Sequence, residues 1–197
     1  MTLDALIALV AFAFVTSVTP GPNNMMLLAS GVNFGFRRSL PHMLGIGLGH
    51  ALMVFLVGLG LAGLFDRFPI LHGALKVISV AYMLWLAWKI ATSTAPEGGA
   101  ARGKPFSFFH AAGFQWGNPK AWAMALGAVS VYAPDRTAPT MLMVAVVFCA
   151  VNLPSVSVWT LAGQGLRRWL TDPRRLRAFN WTMAGLLVLS LWPVITH

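Results

Sequence analysis

Between Phe106 and Tyr132 the chain carries no ionisable residue except His110 near the start and Lys120 near the middle, and Pro119 stands beside that lysine. A run of this length can cross a bilayer as a helix, yet it is built to break. Proline at 119 has no N–H for the carbonyl of Gln115, and its ring clashes with the preceding turn. In hydrocarbon a freed carbonyl costs several kcal/mol, so broken backbone at this depth survives only against protein or a watery cavity. A lysine at mid-span adds about 3 kcal/mol on insertion scales. About a dozen residues separate Lys120 from either end of its run, roughly 18 Å along a helix and beyond its side chain's reach. Two penalties at one point mark a site.

Thr19-Pro20-Gly21-Pro22-Asn23-Asn24 is the earlier counterpart of Trp116-Gly117-Asn118-Pro119-Lys120-Ala121-Trp122. Pro20 and Pro22 take the donors from the carbonyls of Thr16 and Val18, and Gly21 loosens the turn between them. Proline is favoured at the first position of a helix, so a second half-helix is expected from Pro22 to about Val32. A single kinked helix is the alternative. Asn23 and Asn24 bring side-chain amides to mid-membrane depth.

Composition sets the class around these motifs. Hydrophobic residues are 57% and charged residues 10%, far from the roughly 25% charged of a soluble domain; mean hydropathy is +0.72. Six apolar stretches are long enough to span: 3–32, 40–64, 70–91, 106–132, 138–166 and 178–195. The expected fold is all-α, a polytopic membrane protein with no soluble domain. The net charge of +9 does not point to nucleic acid, because the basic residues sit in alternate loops. Arg37, Arg38, Lys89, Arg102, Lys104, Arg167, Arg168, Arg174, Arg175 and Arg177 lie on one side, and only Arg67, Lys76 and Arg136 on the other. Positive-inside bias then places both termini outside the cytoplasm. Asp4 is the only early charge, so a cleaved signal peptide is not expected. Cys149, the single cysteine, reads as a small packing residue within span five.

Further features follow along the chain. A basic corner, Asn33 to Arg38, closes the first span. Gly45-x-Gly47-x-Gly49 allows close helix approach, and His50 follows it. That histidine is either neutral and bonded to a neighbour's backbone, or a titrating, substrate-facing group. Trp85-Leu86-Ala87-Trp88-Lys89 anchors span three at the inner interface. Residues 96–105 read as a flexible connector between a first three-helix repeat, 1–95, and a second, 106–197. Trp116 and Trp122 are core filling or cavity walls. Asn152-Leu153-Pro154 in span five is a packed kink with an interhelical hydrogen bond, or a further polar site. Span six reads as plain, with Trp181 and Trp192 near its ends.

The order of features repeats. Each half opens with a span broken by Gly/Pro/Asn, then a span with a buried polar group, then a plain one. Three spans per half is an odd number, so the repeats are inverted, and paired interruptions then point to a transporter's binding site. The positive end of the half-helix starting at Pro119, with the Lys120 ammonium, makes an anion site. A carboxylate suits it, while Asn23, Asn24, Asn118 and Asn152 grip a small polar body. Together with Pro20, Gly21, Pro22 and Pro119 these are the candidate substrate-binding residues; His50 and Lys120 are the candidates for proton coupling.

All five acidic residues fall at span ends or in loops, so neither a metal site nor another cofactor is expected. No phosphate-cradling loop is present. The expected partners are a small-molecule substrate and the lipid bilayer, with a homo-oligomer left open. Rival readings are a carrier of another small solute or ion, a membrane subunit without transport, and, last, an intramembrane enzyme, for which no buried acid/base pair exists beyond His50 and Lys120.

Thr19-Pro-Gly-Pro-Asn-Asn24, Gly45-x-Gly-x-Gly49 and Asn118-Pro-Lys-Ala121 resemble the LysE/RhtB amino-acid exporters at matching positions over essentially the whole chain. Trp85-Leu-Ala-Trp-Lys-Ile-Ala-Thr-Ser93 is similar to the branch that includes cysteine and O-acetylserine exporters. The resemblance implies inner-membrane efflux of amino acids or derivatives by proton antiport, and no catalytic residue. Many members carry aspartate directly after Pro-Gly-Pro, where this chain has Asn23. That departure argues against carboxylate-based coupling and against basic amino acids as substrates.

Overall fold

The computed structural model describes residues 1–61, 67–93, 104–135 and 137–192, and no strand occurs among them. Eight α-helices are described: α1 Leu3–Val18, α2 Pro22–Phe34, α3 Phe36–Leu56, α4 Pro69–Ala91, α5 Phe108–Gly117, α6 Pro119–Tyr132, α7 Ala138–Leu166 and α8 Pro173–Leu189. A π-helical turn, Val57–Leu61, extends α3. The connector at 96–105 lies largely outside the described residues. So do Asp66, Glu97, Arg102, Arg136 and the ends of spans two and six.

Phe36–Leu61 and Ala138–Leu166 are each long and apolar enough to cross a membrane, and α1 with α2 makes a third span if the bent pair, 55° apart, is counted as one. The surface agrees with a lipid setting. Leu40, Leu44, Leu48 and Leu52 recur every fourth residue on α3 and are all exposed, while Met43, Ile46, His50 and Met53 on its other face are buried. Such a stripe of apolar residues facing outwards suits hydrocarbon as solvent. The protein is an integral membrane protein.

Three clusters of buried apolar residues form, and the two larger ones divide the broken spans in a crossed manner. Leu9 and Ala13 of α1 share one core with Met124 and Ala125 of α6, Met53 of α3 and Phe148 of α7. Met26 and Ala29 of α2 share the other with Phe114 of α5, Met83 and Leu86 of α4 and Leu187 of α8. The halves of each broken span thus belong to different cores, and both breaks fall at the boundary.

Small residues let the helices approach. In lipid, helix association draws on van der Waals contact more than on exclusion of water, so a missing Cβ matters. A Cβ on Gly45 would collide with the Phe108 carbonyl, and one on Gly49 with Ala112, so that glycine pair seats α3 against α5. Gly47, between them, faces Leu153 of α7. A reciprocal pair went unread in the sequence. A Cβ on Gly31 would meet the Thr160 carbonyl, and one on Gly163 the Leu28 carbonyl, which brings α2 and α7 nearly into backbone contact.

Two sequence expectations need correction. The basic corner of residues 33–38 is a single residue: α2 runs to Phe34, Gly35 turns the chain at φ 79°, and Phe36, Arg37 and Arg38 already belong to α3. Glycine takes that left-handed backbone without strain. Span six is not plain, because Asn180 in α8 is 0% exposed. Its Nδ2 donates to the Ser93 carbonyl at 2.8 Å and its Oδ1 accepts from Asn33 Nδ2 at 3.4 Å, tying α8 to α2 and to the end of α4. One asparagine in an apolar helix gives no periodic signal.

Candidate substrate site at the two helix breaks

Breaking α1 from α2 leaves carbonyls that must be satisfied, and the structure supplies a partner for each. Thr19 N–H donates to the Val15 carbonyl at 3.2 Å. The carbonyls orphaned by Pro20 and Pro22 are met by the Thr19 hydroxyl, 3.1 Å from Thr16 O, and by the Trp159 indole of α7, 3.2 Å from Val18 O. Asn24 Nδ2 bridges Ser17 O at 2.9 Å and Thr19 O at 2.8 Å. Lys120 completes the set. Its Nζ donates to Thr19 O at 2.6 Å, to Thr19 Oγ1 at 2.9 Å and, at 3.4 Å, to Pro20 O. An ammonium at a helix C-terminus meets the negative end of the dipole, so Lys120 stabilises α1 from the first turn of α6.

The second break closes differently. Pro119 takes the first position of α6 as expected, and Asn118 N–H reaches the Gln115 carbonyl at 3.2 Å. Asn118 Oδ1 accepts from Lys120 N–H at 3.1 Å, and Trp122 N–H donates to the Asn118 carbonyl at 3.2 Å. Two of the donors expected to face an anion are therefore already used, which leaves the ammonium as the main attraction. Trp122 Nε1 donates to Trp116 O at 2.8 Å with the rings edge to face. These tryptophans brace the break and pack on the first core.

The breaks meet directly. Asn23 Nδ2 donates to Gln115 Oε1 at 2.8 Å and Gln115 Nε2 returns a bond to Asn23 Oδ1 at 3.2 Å; Gln115 also donates to Ala111 O at 2.8 Å. A Cβ on Gly21 would stand 2.7 Å from Lys120 Cδ, so a side chain there would push the lysine stem off its present path.

A cleft of about 310 Å³, its open mouth included, lies between the breaks. Of the residues predicted from sequence, Gly21, Asn23, Asn24, His50, Asn118, Lys120 and Asn152 line it, whereas Pro20, Pro22 and Pro119 do not. Among the described residues none that lines it is acidic. Ser17 Oγ, both ring nitrogens of His50 and Asn152 Oδ1 are buried here without a hydrogen-bond partner. Asn152 therefore does not use that oxygen in the interhelical bond expected of a packed kink, and the His50 ring meets Phe148 edge-on, with centroids 5.4 Å apart, rather than a backbone group. Nearly all buried polar atoms in proteins are bonded to protein or water, and these unpartnered ones gather at one cleft. Ser17, Gln115 and Trp159 escaped the sequence reading; Ser17 lies one turn before the break, where helical spacing could have found it.

A polar cleft between two broken helices of a membrane protein is the build of a solute carrier. The LysE type translocator model matches residues 14–191, and the chain belongs to that family. It is 33% identical to a cysteine/O-acetylserine efflux protein of Klebsiella pneumoniae subsp. pneumoniae over 95% of both chains. Identity is 34% to the protein of the same description from Escherichia coli (strain K12), over 95% of this chain and 96% of that one. It is also 34% to that from Salmonella typhimurium, over 85% and 87%. These relatives agree with the branch resemblance of residues 85–93. No solved structure matches the chain. A translocator of this family is a transporter, not an enzyme.

Proposed function

We propose that the protein exports amino acids or their close derivatives, cysteine and O-acetylserine first among them, across the bacterial inner membrane by proton antiport. The observation that carries the reading is the set of unpartnered polar atoms of Ser17, His50 and Asn152 around a cleft with a lysine and no described acid. A substrate carboxylate would draw Lys120 Nζ from Thr19, while Asn152 Oδ1 and Ser17 Oγ accept from the substrate ammonium. Asn24, spent on two carbonyls, holds the site's shape. The relatives' description as cysteine/O-acetylserine efflux proteins supports this substrate class.

The proposed architecture is six spans in two inverted repeats, residues 1–95 and 106–197, with basic loops cytoplasmic and both termini outside. Paired Pro-initiated half-helices, α2 and α6, and the crossed cores support it. His50 is the proposed proton carrier, since its ring nitrogens have no competing partner. Alternating access then follows from motion about the breaks.

Counterflow in proteoliposomes, with a panel of amino acids inside and labelled cysteine or O-acetylserine outside, tests the proposal. Exchange confined to small amino acids supports it. Absence of exchange with every amino acid refutes it.

A further inference from the structure

A second pocket, about 400 Å³ in size, opens at the far end of α2 between that helix, the end of α4 and the segment leading into α5. Lys89 and Lys104 stand in its lining with Ser30 and Asn33, and no acidic residue is among its described lining residues. Lys89 Nζ lies 4.7 Å from the Trp85 ring centroid. Two like charges facing one cavity are unfavourable unless something anionic joins them. The floor is polar as well. Asn33 Nδ2 is spent on Ala29 O at 2.8 Å and on Asn180 Oδ1, which leaves Asn33 Oδ1 to accept a proton donor. Ser30 and Ser39 hydroxyls bond at 2.7 Å beside it.

The pocket is connected to the cleft by one helix face. Asn23, Met26, Ser30 and Asn33 recur at the three- and four-residue spacing that aligns side chains on α2. Asn23 lines the cleft, and Met26, Ser30 and Asn33 line the second pocket. About 15 Å of helix separates Asn23 from Asn33. Along it lie Met26, which packs in the second core, and the Asn23–Gln115 amide pair, held by two neutral hydrogen bonds.

We infer that the second pocket is a cytoplasmic loading site that takes a small zwitterion before it reaches the cleft, with Lys89 and Lys104 on its carboxylate, Asn33 on its ammonium, and Met26 with the Asn23–Gln115 pair as the gate. The inference rests on the export reading above and on the orientation it assumes. A phospholipid head group would also satisfy two lysines. The polar face leading inwards from the pocket favours a molecule that travels on.

Transport of O-acetylserine by the full chain in inside-out and right-side-out proteoliposomes separates these cases. The Lys89→Gln/Lys104→Gln double variant should raise KM roughly ten-fold from the cytoplasmic face, the low end of what a charged cleft adds by concentrating its ligand. The maximal rate from the cytoplasmic face should be unchanged, and because detailed balance fixes the ratio of Vmax/KM in the two directions, Vmax/KM from the opposite face should fall by the same factor. Lys89→Arg/Lys104→Arg should restore the wild-type value. Equal KM for the Gln variant and wild type at the cytoplasmic face overturns the loading site while leaving export intact. A loss of rate at both faces that added anionic phospholipid reverses overturns it in favour of lipid. If the wild-type chain moves no amino acid, the export reading fails and the loading site with it.

Discussion

The ammonium of Lys120 lies 2.6 Å from the carbonyl oxygen of Thr19, which joins the two helix breaks across a hundred residues of chain. A lysine in the first turn of α6 opposes that helix's own dipole and is repaid by the open end of α1. Carbonyl dipoles offset only part of a full charge, so a carboxylate can displace them.

Lys120→Met should therefore abolish amino-acid export while leaving the protein inserted and folded. Methionine keeps the stem that fits against Gly21, and Asn24 and the Thr19 hydroxyl still hold most of the freed carbonyls. Flux in proteoliposomes and a melting curve in detergent check this together. Undiminished export would remove Lys120 from the mechanism.

Ser17→Ala and Asn152→Leu should separate stability from activity. Neither Ser17 Oγ nor Asn152 Oδ1 has an internal partner to lose, and an unsatisfied buried polar atom costs about 1–3 kcal/mol. Both variants are expected to melt at the wild-type temperature or above and to bind substrate several-fold more weakly. Weaker folding with unchanged affinity would show these atoms to be structural.

His50→Gln should uncouple transport from the proton gradient. Counterflow, which needs no net proton movement, is expected to survive, and accumulation driven by a pH gradient to vanish. His42, buried with both nitrogens unpartnered against Phe106 but absent from the cleft lining, is the control. His42→Gln should leave coupling intact.

Gly31→Ala and Gly163→Ala should each destabilise the protein by about 1–3 kcal/mol, the usual range for overfilling a close contact. In each case the obstacle is backbone, which cannot rotate aside. Gly185→Ala, with nothing within 4 Å of the new methyl, should be neutral. Thermal unfolding in detergent compares the three.

Legibility in the sequence followed the strength of the local physics. Proline in an apolar run removes a backbone donor. Although Pro41 and Pro154 sit inside continuous helices, the prolines grouped with Gly and Asn start new ones, so the helix starts at Pro22 and Pro119 could be read in advance. Gly45 and Gly49 were legible from their spacing. Gly31 and Gly163 were not, since they are distant in sequence and only the crossing of α2 on α7 pairs them. Gln115 and Asn180 were hidden for the same reason: a lone amide in an apolar helix shows no pattern until its partner is known. Lys120 was found, but not its bonds to Thr19, because sequence tells that a charge needs a partner and not which oxygen supplies it.

The crossed cores bear on how such a molecule can move. Because α1 shares a core with α6 and α2 shares one with α5, the two sequence halves interleave. On the proposed export reading, loosening one core while the other stayed packed would open the cleft to one face at a time. Each fractured helix then serves as a crank joining two leaves of one valve.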